Sequence, residues 1–149
     1  MDEDEFSLNE SDDDDAADLH HDAITTIDDT MFRGLPHKPV RTSDKVIFYK
    51  CGDIHPWEDT SFPDAKVVHL EFCDKNFVYY WLKPLTFPNV NTIYLNSHPC
   101  QHSSWLTHFS ENIPIYMAPR HQCYKERWYR DLHNFQVIET FPPWTTAKR

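Results

Sequence analysis

Two short pairs of cysteine and histidine are the residues of this sequence best suited to chemistry. Cys100 and His102 are separated by one residue, and so are His121 and Cys123. Zinc prefers thiolate and imidazole ligands, and two close pairs could hold one ion tetrahedrally. Zinc fingers usually place two or more residues between paired ligands, unlike this spacing. The sequence favours the alternative, in which Cys100 and Cys123 are buried thiols beside surface histidines, so we expect no resident cofactor.

A cysteine nucleophile activated by a histidine is a second chemical use of the same residues. His102 or His121 could act as the base, but the neighbouring sequence supplies neither an oxyanion hole nor a third orienting group. Glycine occurs only as Gly34 and Gly52. Loops that cradle phosphate need glycine for close backbone approach, so nucleotide-binding fingerprints are missing from the sequence. We therefore predict that the protein is not an enzyme.

The segment 120–130 mixes basic and aromatic side chains in a way that suits nucleic acid. Its cations are Arg120, Lys125, Arg127 and Arg130, and they alternate with three aromatic residues. Such segments bind nucleic acid through phosphate contacts and base stacking. The alternative is an amphipathic helix with buried rings and solvated charges, which the small positive excess of the region around it favours.

Charge divides the 149-residue chain, whose net charge is −10, into two regions. Residues 1–30 contain 13 acidic side chains and no Lys or Arg, whereas the other 119 residues contain 11 acidic and 14 basic ones. A stretch this charged has too little apolar surface to offset the entropy of ordering. We predict a disordered acidic tail over 1–30, a linker or cap over 31–44 and one domain over 45–149. The tail either screens the basic segment or simply keeps the domain soluble.

The hydropathy of the sequence indicates the cellular compartment in which the protein is expected. No apolar run approaches the roughly 20 residues that span a bilayer, and the N-terminus is acidic where a secretory signal would be basic. We expect an intracellular protein, cytoplasmic, nuclear or packaged in a virion, that does not bind membranes. Its cysteines are then expected to be reduced core thiols: Cys51, Cys73, Cys100 and Cys123.

An internal repeat is the most informative feature of the folded region. Residues 62–70 (FPDAKVVHL) align with residues 87–95 (FPNVNTIYL) at a displacement of 25 residues. Each unit ends in a short alternating apolar run, which predicts a strand. Runs of the same kind recur at similar steps, giving five predicted strands: 46–48, 68–70, 93–95, 115–117 and 135–138.

Candidate helices lie between these strands. Aromatic and apolar residues recur at helical spacing in three segments: Asn76–Lys83, Ser103–Phe109 and Gln122–His133. Strands that alternate with helices over such short connections predict a parallel sheet with right-handed crossovers. The fold class is therefore α/β, with about five parallel strands and intervening helices.

The period of 22 to 25 residues with a strand pattern x-x-[VI]-x-L resembles leucine-rich repeats. The resemblance covers residues 46–139, with Cys73, and Asn96 or Ser97, at the family's asparagine or cysteine position. It implies a curved parallel sheet with one strand per repeat and a concave binding face. The array is also similar to degenerate repeats in uncharacterised proteins of large DNA viruses. The alternative is a non-repetitive α/β sandwich in which the match is chance.

Protein recognition is the function that this resemblance implies, because a solenoid sheet presents a row of side chains to a partner. The expected binding residues alternate with the buried strand positions: His69, Glu71, Tyr94, Asn96 and Tyr116. Residues 31–44 and 141–144 are the expected caps of the array. Two other functions stay open, a structural or virion-associated role and a zinc-dependent nucleic-acid accessory role. The sequence does not decide the partner or the oligomeric state.

Overall fold

The structure, a computed structural model, describes residues 18–19, 23–35, 39–52, 60–96, 109–110, 112–118 and 134–145. Within these ranges it contains six strands, two short α-helices and one 3-10 turn. The strands are β1 (Ile24–Asp28), β2 (Lys45–Tyr49), β3 (Val67–Glu71), β4 (Thr92–Asn96), β5 (Ile115–Met117) and β6 (Phe135–Val137). The helices are α1 (Asp29–Arg33) and α2 (Lys75–Trp81), and the 3-10 turn is Pro143–Thr145.

All six strands form one parallel sheet, and their order in the sheet is their order in the chain. Each strand therefore returns beside the previous one after a crossover, which is a solenoid-like arrangement. The register pairs Ile47 with His69, His69 with Tyr94, Tyr94 with Tyr116 and Tyr116 with Gln136. The repeat predicted from sequence is confirmed, since all five predicted strands are present.

The helical content is lower than predicted. The predicted helix Asn76–Lys83 is present as α2, but the described residues are mostly strand and irregular crossover. The predicted helix Gln122–His133 lies outside the described residues, and so does Ser103–Phe109 except for Phe109 itself. The α/β prediction is therefore matched only in part: the parallel sheet is present, and the crossovers that can be followed carry little helix.

Strand β1 corrects the predicted boundary of the acidic tail. Ile24–Asp28 lies within the segment predicted to be disordered, yet it pairs with β2 along its whole length. Thr25 and Ile27 are buried, because this short β-branched run can join the sheet despite the acidic residues around it. Residues 1–17 lie outside the described residues.

Helix α1 (Asp29–Arg33) overlaps the start of the segment 31–44, which was predicted to be a linker or cap. The Asp28 carboxylate accepts a hydrogen bond from the Met31 backbone N–H at 2.9 Å and so caps the helix. Phe32 is fully buried and packs edge-on against Phe77 at 4.9 Å and Trp81 at 5.2 Å between ring centroids. The segment before β2 is therefore part of the core.

The core lies against one face of the sheet. Alternate strand residues point into it, and each adjoins its counterpart in the next repeat. These positions include Val46, Val68, Ile93 and Ile115, and beside them Ile27, Phe48, Leu70, Leu95 and Met117, all buried. Fully burying one such side chain contributes about 1.5–3 kcal/mol.

The phenylalanines of the repeated Phe-Pro motif pack in the core against Phe48, at 5.1 Å for Phe62 and 5.6 Å for Phe87 between ring centroids. The rings of Phe62 and Phe87 stack at 5.5 Å, one from each repeat. The Asn89 side chain donates a hydrogen bond to the Pro63 carbonyl at 2.8 Å. Residues that are 25 positions apart in the sequence therefore occupy equivalent turns, and these turns stack on each other in the structure.

Candidate functional site

The face of the sheet opposite the core carries the candidate site, and we call it the outer face. Successive strand residues point to opposite faces, so the neighbours of the core residues line it. Its central row runs across five strands in register: Ile47, His69, Tyr94, Tyr116 and Gln136. Ile47 is buried although it is not part of the main core, so another part of the chain must cover this face of the sheet.

Three aromatic rings form a continuous stripe in the middle of this row. Tyr94 and Tyr116 stack with centroids 5.1 Å apart and planes inclined by 23°. His69 lies edge-on to Tyr94 at 6.4 Å. Partial burial, together with the neighbouring Tyr116, raises the pKa of Tyr94, so the phenol stays neutral at physiological pH. The structure thus brings together three of the five residues predicted to bind a partner.

The remaining two predicted residues, Glu71 and Asn96, lie side by side at the ends of β3 and β4. They share the predicted face, and Asn96 is partly exposed there. Glu71 is only 4% exposed and His69 only 1%. His69 and Glu71 therefore lie on the outer face but are buried.

Residues Phe141–Thr145 explain the burial of His69, and we call this segment the strap. The ring of Phe141 packs on His69 at 5.4 Å and on Tyr94 at 5.7 Å. Trp144 packs edge-on against Tyr94 at 5.7 Å, and the Lys45 ammonium lies 5.3 Å from its ring centroid. The strap therefore crosses the outer face on the aromatic stripe.

This position corrects the prediction that residues 141–144 cap the end of the array. Strand β6 ends at Val137, and the chain turns back within three residues onto the face it has just helped to build. The Pro142 carbonyl accepts hydrogen bonds from both the backbone N–H and the hydroxyl of Thr145. That turn holds the two strap rings toward the same surface.

A hydrogen bond fixes the end of the strap to β3. The His69 Nδ1 atom lies 2.6 Å from the Thr145 carbonyl oxygen. A carbonyl only accepts, so Nδ1 carries the proton, and Nε2 of the neutral ring is an acceptor. Burial lowers the pKa of His69 to about 4, and the hydrogen bond to Thr145 opposes this only in part. No residue in the described part of the chain pairs with the buried Nε2.

Sequence reasoning missed that Ile47, Lys45 and the strap belong to the site. The available signal was the Phe-Pro-Pro-Trp run, in which two prolines restrict the backbone between two large rings. The partner of that run could not be identified from sequence spacing, because His69 and Thr145 are 76 positions apart.

A second regular feature is a ladder of thiols beside α1 and α2. The Cys51 Sγ donates to the Ile27 carbonyl at 3.4 Å, and the Cys73 Sγ donates to the Phe48 carbonyl at 3.2 Å. Each thiol thus satisfies a carbonyl of the preceding repeat. Both are buried free thiols, as predicted. A hydrogen bond with Cys73, together with burial, raises the pKa of the Cys51 thiol.

The other predicted site residues lie outside the described residues. These are the zinc set Cys100, His102, His121 and Cys123, and the basic set Arg120, Lys125, Arg127 and Arg130. Across the ranges that the structure does describe, no three His, Cys, Asp or Glu side chains converge to hold a metal ion. In those ranges there is also no helix long and apolar enough to cross a membrane.

Comparison with known proteins finds a relative from a virus. It is 30% identical over 104 residues to the uncharacterised protein R849 of Acanthamoeba polyphaga mimivirus, and the alignment covers 70% of each chain. No solved structure matches. The sequence also matches the family described as "Family of unknown function (DUF5845)" over residues 46–129, which include β2 to β5. Because that match spans more than half of the 149 residues, the chain belongs to this family.

Proposed function

We propose that the protein is a non-enzymatic protein-recognition module of the leucine-rich-repeat-like type, with the outer face of its sheet as the binding surface. The observation that carries this proposal is the strap. Five residues of polypeptide already lie on the aromatic stripe, bound by ring packing and by the backbone hydrogen bond to His69. A surface that holds a chain segment in this way has the groups needed to hold a segment of a partner.

The leucine-rich-repeat-like assignment is supported by the thiol ladder. Residues 46–51 (VIFYKC) and 68–73 (VHLEFC) follow the family pattern L-x-L-x-x-C with another apolar residue, Val or Phe, at three of the four leucine positions. In both repeats the cysteine is the third residue after the last inward strand residue, and its thiol reaches back to the preceding repeat. One strand per period of 20 to 25 residues completes the likeness.

The composition of the stripe favours recognition of protein over chemistry. Tyrosine and tryptophan dominate binding energy at interfaces, because they bury large areas at low entropic cost. Tyr94 and Tyr116 are partly exposed at the centre of the row and already stack on each other. Preorganised rings lose little freedom when a partner arrives.

Peptide-display selection tests this function. The baits are the full chain and its Trp144→Ala variant, in which a weakened strap leaves the stripe accessible. We expect enriched peptides whose binding falls at least about tenfold in Tyr94→Ala and Tyr116→Ala baits, the loss typical of an interface anchor. The matched control is Leu85→Ala, which truncates a residue 72% exposed in the crossover between α2 and β4. Failure to enrich any peptide, or equal binding to all the variants, contradicts the proposal.

A structural, virion-associated role is the second candidate, and the mimivirus relative favours it. Quantitative mass spectrometry of purified particles and of infected-cell extracts distinguishes the two. A structural role predicts enrichment in particles together with the major capsid components. Exclusion from particles removes this candidate.

A further inference from the structure

We infer that the outer face recognises segments in which two prolines separate two aromatic residues, and that the strap occupies this site in competition with such a segment of a partner protein. This inference rests on the proposed function and specifies its ligand. The strap itself, with the sequence Phe141-Pro-Pro-Trp144-Thr145, is the observation that identifies the chemistry.

The strap shows which features the site selects. Its two rings both contact Tyr94, one on each side of the proline pair. Each proline fixes its own φ near the value that the 3-10 turn Pro143–Thr145 requires, so a segment of this kind loses less entropy when it binds. Lys45 faces the second ring, and a cation beside an indole adds electrostatic attraction. An aromatic-Pro-Pro-aromatic segment is therefore the ligand class that matches this surface.

The strap leaves one buried hydrogen-bond acceptor of the site unsatisfied, so a different segment could bind more tightly. His69 Nδ1 is satisfied by the Thr145 carbonyl, but Nε2 is buried and has no partner among the described residues. The strap's prolines have no N–H, and both donors of Thr145 are used on the Pro142 carbonyl. A partner segment with an N–H near the imidazole would satisfy Nε2 as well, and a buried acceptor gains most from such a bond.

Attachment to β6 gives the strap its advantage over free ligands. Only residues 138–140 separate Val137 from the strap, so its effective concentration at the site is high, of millimolar order for a short tether. A free peptide of the same sequence must compete with this local concentration. Weakening the strap should therefore reveal tight binding of the peptide.

Fluorescence anisotropy with a labelled, amidated peptide spanning residues 138–146 tests the inference. We expect binding at least tenfold tighter to the full chain carrying Phe141→Ala and Trp144→Ala than to the unaltered chain. Adding Tyr94→Ala should abolish that binding, and a control peptide with both aromatic residues replaced by alanine should not bind. If the double variant does not fold, as judged by circular dichroism, Pro143→Gly loosens the strap and keeps both rings.

The possible outcomes separate this inference from the proposed function. Equal affinity for the unaltered and strap-weakened chains would show that the strap does not compete, and would overturn the inference. Loss of peptide binding, while display-selected peptides of other composition still require Tyr94, would overturn the inference and leave the function standing. If neither the strap peptide nor any display-selected peptide binds, both the inference and the proposed function are contradicted. The unaltered chain could also dimerise, and Trp144→Ala could abolish the dimer. That result would show that a second copy of the chain occupies the site, and it would overturn the inference.

Discussion

His69 in β3 donates a hydrogen bond from Nδ1 to the carbonyl oxygen of Thr145, 76 positions further along the chain, at 2.6 Å. This contact joins the middle of the sheet to the strap. It fixes the tautomer of the imidazole, while the strap buries the ring, and burial keeps the ring neutral although the hydrogen bond itself favours the charged form. The state of the strap is therefore coupled to the protonation of one histidine.

The first prediction concerns pH. The pKa of His69 is about 4 in the folded chain, against 6.5 when the ring is solvated. The unfolded chain therefore gains a proton between these values while the folded chain does not, and stability falls as pH drops. Between pH 7 and 5 the unfolding free energy should fall by about 2 kcal/mol more in the unaltered chain than in His69→Gln, whose amide does not titrate.

Urea denaturation at several pH values measures this difference, and NMR titration of the His69 ring measures its pKa directly. The charged or titratable groups at neighbouring positions on the same face are Glu71 on its own strand, Tyr94 on β4, and Lys45 and Tyr49 on β2, and the strap contributes none. All four are shared by both variants, so the comparison isolates His69. An identical pH dependence in the two chains would contradict the coupling.

The second prediction concerns the strap rings. Phe141→Ala removes ring contacts with both His69 and Tyr94 and should lower the unfolding free energy by about 1–2 kcal/mol. The control is Phe72→Ala, which truncates a ring that is 43% exposed and should cost less. Hydrogen exchange then shows whether protection is lost specifically at Thr145. Equal loss across the whole sheet would contradict a local role for the strap.

The third prediction concerns backbone strain after β2. Lys50 has a φ of 55°, in the left-handed region that favours glycine. Lys50→Gly should therefore raise the unfolding free energy by roughly 0.5–1 kcal/mol, since the relieved strain exceeds the added entropy of the unfolded chain. Lys66→Gly is the matched control, because Lys66 is also exposed but has an ordinary φ, and it should be destabilising. A loss of stability in both variants would contradict the prediction.

The fourth prediction concerns the thiol ladder. In a chain carrying Cys100→Ser and Cys123→Ser, Cys51 and Cys73 should resist a thiol reagent under native conditions and react fully after denaturation. Burial excludes the reagent, and the raised pKa of Cys51 keeps its thiol protonated. Spectrophotometric thiol counting measures both states. Rapid reaction of the native chain would show that the ladder opens readily.

The fifth prediction concerns metal content. We expect elemental analysis of protein purified without chelator to find no stoichiometric zinc, and denaturation to release four titratable thiols. Cys100→Ser and, as a control outside the zinc set, Cys51→Ser should likewise contain no stoichiometric zinc, and each should release three titratable thiols. Stoichiometric zinc that disappears only in Cys100→Ser would establish the Cys100/His102/His121/Cys123 site. Nucleic acid would then be the first partner to test.

Local pattern was enough to predict the repeated part of the sheet. The alternation of Val68-His69-Leu70 and Ile93-Tyr94-Leu95 gave both the strands and their 25-residue register. This worked because side-chain alternation within a strand is set by backbone geometry, and the neighbouring repeats supply the same environment. The same alternation placed His69, Tyr94 and Tyr116 on one face.

Strand β1 and helix α1 could not be predicted from composition. The acidic residues around Ile24–Asp28 indicated disorder. The strand is stable because its backbone pairs with β2 and Ile27 enters the core, and neither contribution is visible within the segment itself.

The sequence by itself determined the period, the direction of the strands and the face that carries the aromatic stripe. Only the tertiary structure decided that Phe141–Thr145 lies on that stripe and that His69 is buried beneath it. The physical reason is that a repeat follows from the pattern of residues close together in the sequence. The burial of a side chain depends instead on distant parts of the chain, and the segment that covers His69 ends 76 positions away.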